Sequence, residues 1–228
     1  MKKNWFIWKS EREFKILHEH DLQGRKFIIT FLVVICTCWF EFLLEPLCPL
    51  IMDIIMPLNQ SRSRKFNPVV EYFVNQDDHY FWITLHTCHT NTVMITIIFS
   101  TDAIFLAFLY HACGVFATLG YKLKNIGIKN CNERNKMREI KFCAEVHDSL
   151  LSFVTRISKC FSTLYFIVVW CTIILIITFG VQLMTHLEQL KIENVHLRLI
   201  FGHLFHVFCI NYSCQRLTDH SFQLFRNM

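Results

Sequence analysis

Four long apolar runs, at 27–44, 81–121, 161–183 and 199–213, take up so much of this chain that little remains from which a water-soluble domain could be built. The third run decides the class. Phe161 to Leu183 is 23 consecutive residues without a formal charge, long enough as a helix to cross a hydrocarbon core about 30 Å thick. The composition agrees, because 53% of the 228 residues are hydrophobic and 23 are Phe, a profile unlike that of an ordinary soluble domain. The expected fold class is all-α: a polytopic membrane protein with four membrane helices.

Charge predicts how the runs are oriented. Lys and Arg number seven in residues 1–26, three in 53–80, nine in 120–160, two in 185–198 and two in 214–228. If all four runs cross, the first, third and fifth of these segments share a side and hold 18 of the 23 basic residues, and an excess of Lys and Arg marks the cytoplasmic side. Both termini are therefore predicted to be cytoplasmic. The chain then divides into a cytoplasmic N-terminal segment 1–26, two membrane helices within 27–119 joined by an outer loop 53–80, a cytoplasmic loop and helix extension 120–160, and the last two membrane helices with a cytoplasmic end in 161–228. Asn59-Gln60-Ser61 is an N-glycosylation triplet inside the predicted outer loop, which makes Asn59 the acceptor candidate. Met1 to Lys26 lacks the apolar core and small-residue cleavage site of a signal peptide, so the first run is expected to act as the insertion signal. The net charge of +5 reports topology in such a chain and is not read as a nucleic-acid signal.

The second run is too long for a simple crossing. Phe81 to Tyr121 is 41 residues with one formal charge, Asp102, and a continuous helix of that length spans about 60 Å, roughly twice the hydrocarbon thickness. A helix entering from outside near Tyr80 reaches Asp102 after about 33 Å, near the inner boundary and not at the bilayer centre. Ala103 to Leu119 would then need cover below the membrane. Ile140, Cys143, Ala144, His147, Leu150, Leu151, Val154, Ile157 and Phe161 recur at three- and four-residue spacing and can supply it, with Glu139, Lys141, Glu145, Asp148 and Arg156 on the opposite face. Some membrane helices are thus expected to extend into a cytoplasmic helical anchor region, the alternative being a solvated surface helix. The first run ends at Pro46 and Pro49. Glu41 and Glu45 in its outer quarter are either functional carboxylates or groups that reach the headgroups or pair with a neighbouring helix.

The loops carry a resemblance. Met52-Asp53-Ile54-Ile55-Met56-Pro57-Leu58-Asn59-Gln60-Ser61-Arg62, Val70-Glu71-Tyr72-Phe73-Val74-Asn75-Gln76, His111-Ala112-Cys113-Gly114 and Gln215-Arg216-Leu217-Thr218-Asp219-His220-Ser221 occur in that order, and together they resemble the insect odorant receptor family. The resemblance implies seven membrane helices with a cytoplasmic N-terminus, of which the four runs look like the third to sixth, so that the chain looks like a fragment or truncated product without the pore-lining helix. Cys214 departs from the Gly usual in the family. What the resemblance further implies is a subunit in the plasma membrane of olfactory sensory neurons. It would bind a small volatile organic ligand among helices in the outer half of the membrane lipid and assemble with a shared co-receptor into a hetero-tetrameric odorant-gated cation channel. By depth, the ligand-binding candidates are Cys36, Trp39 and Leu43 on one face of the first run and Tyr80, Thr84 and Thr87 at the outer start of the second, each also open to reading as ordinary helix packing.

Other chemistry finds little support. His86 with His89 and His203 with His206 are i,i+3 pairs, but no carboxylate or third ligand accompanies either in sequence, so no metal site is expected. The eleven Cys contain no CxxC pair, and neither a disulfide framework nor a zinc site is indicated. HExxH, GxSxG and a glycine-rich phosphate loop are missing, so no enzyme and no cofactor is expected. Trp5, Trp8, Phe14 and Leu17 fit a short amphipathic helix on the inner membrane surface, or a link between membrane helices under the family reading. Two rivals remain: a gustatory-type receptor of related architecture, and a small four-helix membrane transporter or scaffold.

Overall fold

The computed structural model of the chain describes residues 8, 10–44, 46–56, 72–76, 78–128, 132–188 and 194–226. Among them the only regular structure is helix: α1 Glu11–Leu44, α2 Cys48–Ile55, α3 Tyr80–Ile128, α4 Glu133–Glu188 and α5 Asn194–Arg226. Helix is what apolar segments of this length require in lipid, where every backbone N–H and C=O must find its partner within the segment. Among the described residues, three helices are long and apolar enough to cross a membrane, within Glu11–Glu41, Tyr80–Ile126 and Glu133–Met184. The fourth predicted run lies within α5, which is not among these three. α1 begins at Glu11, well before the first apolar run, with Glu11 and Glu13 in its first turn, where the exposed N–H groups favour negative charge.

The chain divides into two compact units, one of residues 1–31 with 102–228 and one of residues 32–101. In the larger unit α3 is the central element. His111 to Phe116 are all buried, as are Leu106, Leu109, Tyr110, Thr118 and Leu119, so this part of the helix is covered on every side, as a helix apolar all round must be. Its core joins Trp8, Leu17, Ala112, Val115, Phe116, Leu119, Cys143, Leu150 and Leu224. The predicted stripe on α4 is present but narrower than expected. Cys143, Leu150 and Ile157 are buried, at intervals of seven residues, whereas Ile140 and Leu151 are exposed. Val146, Phe153 and Val154 flank the seam, giving a narrow contact strip along the helix.

Two glycines permit the closest approaches. A Cβ on Gly24 would lie 2.5 Å from the Tyr110 Cβ, and one on Gly114 would lie 3.0 Å from Leu17 Cδ1 and 3.1 Å from His20 Cβ. Lys122 completes the unit's polar framing, its Nζ 2.8 Å from Glu139 and 3.5 Å from Glu13, so that α1, α3 and α4 meet at one cation.

The smaller unit holds the second part of α1, α2 and the start of α3. Its fixed point is Tyr80, only 2% exposed, whose hydroxyl donates at 2.7 Å to the carbonyl of Pro46 just beyond the end of α1. Phe81, Trp82, Leu85, Val93, Met94 and Ile97 on α3 are exposed, an arrangement suited to lipid and not to water. Asn59 and most of the predicted outer loop lie outside the described residues.

Candidate ligand site and a buried polar cluster

All six ligand-binding candidates read from the sequence fall within the smaller unit. Tyr80 and Thr84 are buried, at 2% and 3% exposure. Trp39, Leu43 and Thr87 are half-buried and Cys36 is exposed. Tyr72 reaches α3 from the segment before it. Its hydroxyl shares a 2.8 Å hydrogen bond with His86 Nδ1 and lies 3.5 Å from Thr87 Oγ1. Thr84 behaves differently from its neighbours. Thr37, Thr90, Thr92, Thr96 and Thr101 donate to the carbonyl four residues back at 2.7 to 2.9 Å, but the buried Thr84 hydroxyl meets no partner, and neither does the buried indole N–H of Trp39.

The larger unit contains a polar cluster that the sequence reading did not assemble. Asp102, 2% exposed, accepts a 2.8 Å hydrogen bond from the Tyr165 hydroxyl on Oδ1 and lies 2.8 Å from His206 Nε2 through Oδ2. Facing a carboxylate, which only accepts when ionised, the imidazole donates in the tautomer that carries its proton on Nε2. The imidazole also stacks against Phe31, with ring centroids 6.1 Å apart. Phe105 and Phe161 pack against Tyr165, with centroids 4.6 and 6.2 Å away. Beside the cluster lies a cavity of about 230 Å³, lined among others by Phe105, Phe161, Tyr165, His206, Ile210 and Cys214. The cluster ties α3, α4 and α5 together at the one formal charge of the second apolar run. The sequence signal was that lone charge, but its partners are 63 and 104 residues away. The expectation that no carboxylate accompanies His206 is therefore corrected: folding delivers one.

The histidine pairs point to separate partners. His86 meets Tyr72, and His203 stacks on Phe179 at 6.3 Å while His206 turns to Asp102. No group of three or more His, Cys, Asp or Glu side chains suited to a metal ion occurs among the described residues. At the far end of α5, the His220 ring meets the His20 ring edge-on at 5.0 Å. Burial lowers the pKa of His220, and the neighbouring His20 and the Arg216 guanidinium lower it further against the opposing pull of Asp219.

A chain whose described regular structure is all helical, with three described helices long and apolar enough to cross a membrane, has the build of a polytopic membrane protein. The comparison with known families makes the class specific. The family model described as 7tm Odorant receptor matches residues 7–228, and the chain belongs to that family. The family is one of receptors and not of enzymes. No curated protein matches the chain.

Proposed function

We propose that the chain is an odorant-binding subunit of an odorant-gated cation channel in the plasma membrane of olfactory sensory neurons. Membership of the odorant receptor family over residues 7–228 is the observation that carries the reading. In it, α5 makes a fourth crossing through its apolar part, both termini are cytoplasmic, and 120–160 forms a cytoplasmic helical anchor region. The ligand is a small volatile organic molecule held in the outer half of the membrane by Cys36, Trp39, Leu43, Tyr80, Thr84 and Thr87, and the partner is a shared co-receptor in a hetero-tetramer. Aromatic and hydroxyl side chains suit such a ligand, because shape provides most of the contact and one or two hydrogen bonds orient it. Expression of a seven-helix receptor that contains this chain, together with the co-receptor, in a heterologous cell should give odorant-evoked cation current. Equal current without the co-receptor would overturn the division of labour, and odorant-insensitive cells under both conditions would overturn the channel reading itself.

A further inference from the structure

The start of α1 and the end of α5 form an antiparallel seam within the larger unit. Phe27 stacks on Tyr212 with ring centroids 6.0 Å apart, Arg216 donates to Gln23 Oε1 at 3.4 Å, and the His20 and His220 rings meet edge-on at 5.0 Å. Leu17 and Leu224 continue the series into the buried core. The partners step by three or four residues on each helix, from Phe27 down to Leu17 and from Tyr212 on to Leu224, so a single face of each helix makes the seam. Of these pairs, the two histidines are the one that changes charge near neutral pH.

Little around the pair can absorb a second positive charge. Both rings are half-buried, and His20 Nδ1 is buried and meets no partner among the described residues, so a proton placed there has no acceptor. On α5, Arg216 is a permanent cation, and Asp219 accepts a 2.9 Å hydrogen bond from Gln215. On α1, Asp21 turns to His111 of α3 at 3.4 Å, and Glu19 is exposed beside Lys15. Also on α3, the Tyr110 ring packs against the Arg216 guanidinium at 5.3 Å, and Cys113 keeps a neutral thiol because burial raises its pKa to about 12. Burial lowers the pKa of His20, and Arg216 lowers it further against the pull of Asp21 and Glu19. Burial, His20 and Arg216 do the same to His220 against Asp219. The contact between neutral rings is therefore present above pH 6.5 and lost as pH falls through the lowered folded values.

We propose that His20 and His220 act as a latch between the start of α1 and the end of α5, closed while both rings are neutral and released when acid puts a charge on each. Two imidazolium rings 5.0 Å apart beside Arg216 gather three like charges in a half-buried site, and parting the helices to admit water relieves them. The strip of Cys143, Leu150 and Ile157 on α4 is buried by apolar contact that no proton alters, so the opening is local. That the acid is cytosolic rests on the topology proposed above; the latch itself does not.

Hydrogen exchange of the full chain purified in detergent, corrected for the intrinsic effect of pH on exchange, reads the latch without any odorant. From about pH 7.5 to about pH 5.5, amides of residues 17–24 and 216–224 should come to exchange about tenfold or more faster while those of 143–157 hold. His20→Gln and His220→Gln, neutral throughout, should each cut that step to about twofold or less. His220→Lys should show the fast exchange already at about pH 7.5, because it fixes a charge beside His20 and Arg216. Should His220→Lys fail to fold, the two Gln variants still decide. A step that is missing from wild type, that extends equally to 143–157, or that survives in the double variant His20→Gln/His220→Gln overturns the latch, and so does slow exchange at 17–24 and 216–224 in a folded His220→Lys. None of these results touches the odorant-binding reading, which stands or falls on the current measurement.

Discussion

Asp102 shows what a single residue asks of its surroundings in an apolar helix. The carboxylate is almost completely buried and is matched by two donors at 2.8 Å. Asp102→Leu should leave the Tyr165 hydroxyl and the His206 N–H without a partner and lower stability by about 1–3 kcal/mol for each group that water does not reach. Adding Tyr165→Phe and His206→Leu to that variant should restore part of the loss, because an apolar cluster of similar volume has no orphaned groups. Thermal unfolding of the purified chain measures both. The glycines divide in the same way. Gly24→Ala meets the Cβ of Tyr110, which cannot swing aside, and should cost about 1–3 kcal/mol. Gly180 and Gly202 have nothing within 4 Å of the added carbon, so their change to Ala should be neutral or stabilising by up to about 1 kcal/mol, as helix propensity dictates.

At the scale of the element, α4 has one buried face. Leu150 is 4% exposed and Leu151 is 42% exposed, so Leu150→Ala should cost about 2–5 kcal/mol and Leu151→Ala should fall within about 0.5 kcal/mol of wild type. Chemical denaturation of the two variants side by side reads that difference. The end of α5 carries a pH dependence of predictable sign. Because burial, His20 and Arg216 hold the His220 pKa below its ordinary value of 6.5, the unfolded chain takes up a proton at a higher pH than the folded one. The stability His220 contributes is present above pH 6.5 and is lost as pH falls through the lowered folded value. The unfolding temperature of wild type should therefore fall more steeply below pH 6.5 than that of His220→Gln. Parallel curves for the two would assign the acid loss to other groups.

Across the whole molecule, the topology read from charge gives a direct expectation. Asn59 should carry glycan in cells, shown by a mobility shift on glycosidase treatment that Asn59→Gln abolishes, while an acceptor triplet introduced into residues 120–160 should stay unmodified. The sequence by itself determined the class. Runs of apolar residues of this length leave the backbone no stable form in lipid but helix, and the four segments that resemble the odorant receptors anticipated the family that matches residues 7–228. It also favoured a meeting of 103–119 with the α4 stripe over a solvated surface helix, because an apolar surface of that size needs cover. What only the tertiary structure decided is which side chains are satisfied and by whom. Cys143, Leu150 and Ile157 rather than Ile140 or Leu151 form the α4 seam, because the crossing of two helices selects one strip from a broad apolar face. His206 turned out to serve Asp102 and not a second histidine, and Trp39 and Thr84 are the candidates whose polar atoms stay unpaired. Hydrogen-bond partners tens of residues apart leave no periodicity in a sequence. They exist only once the helices have packed.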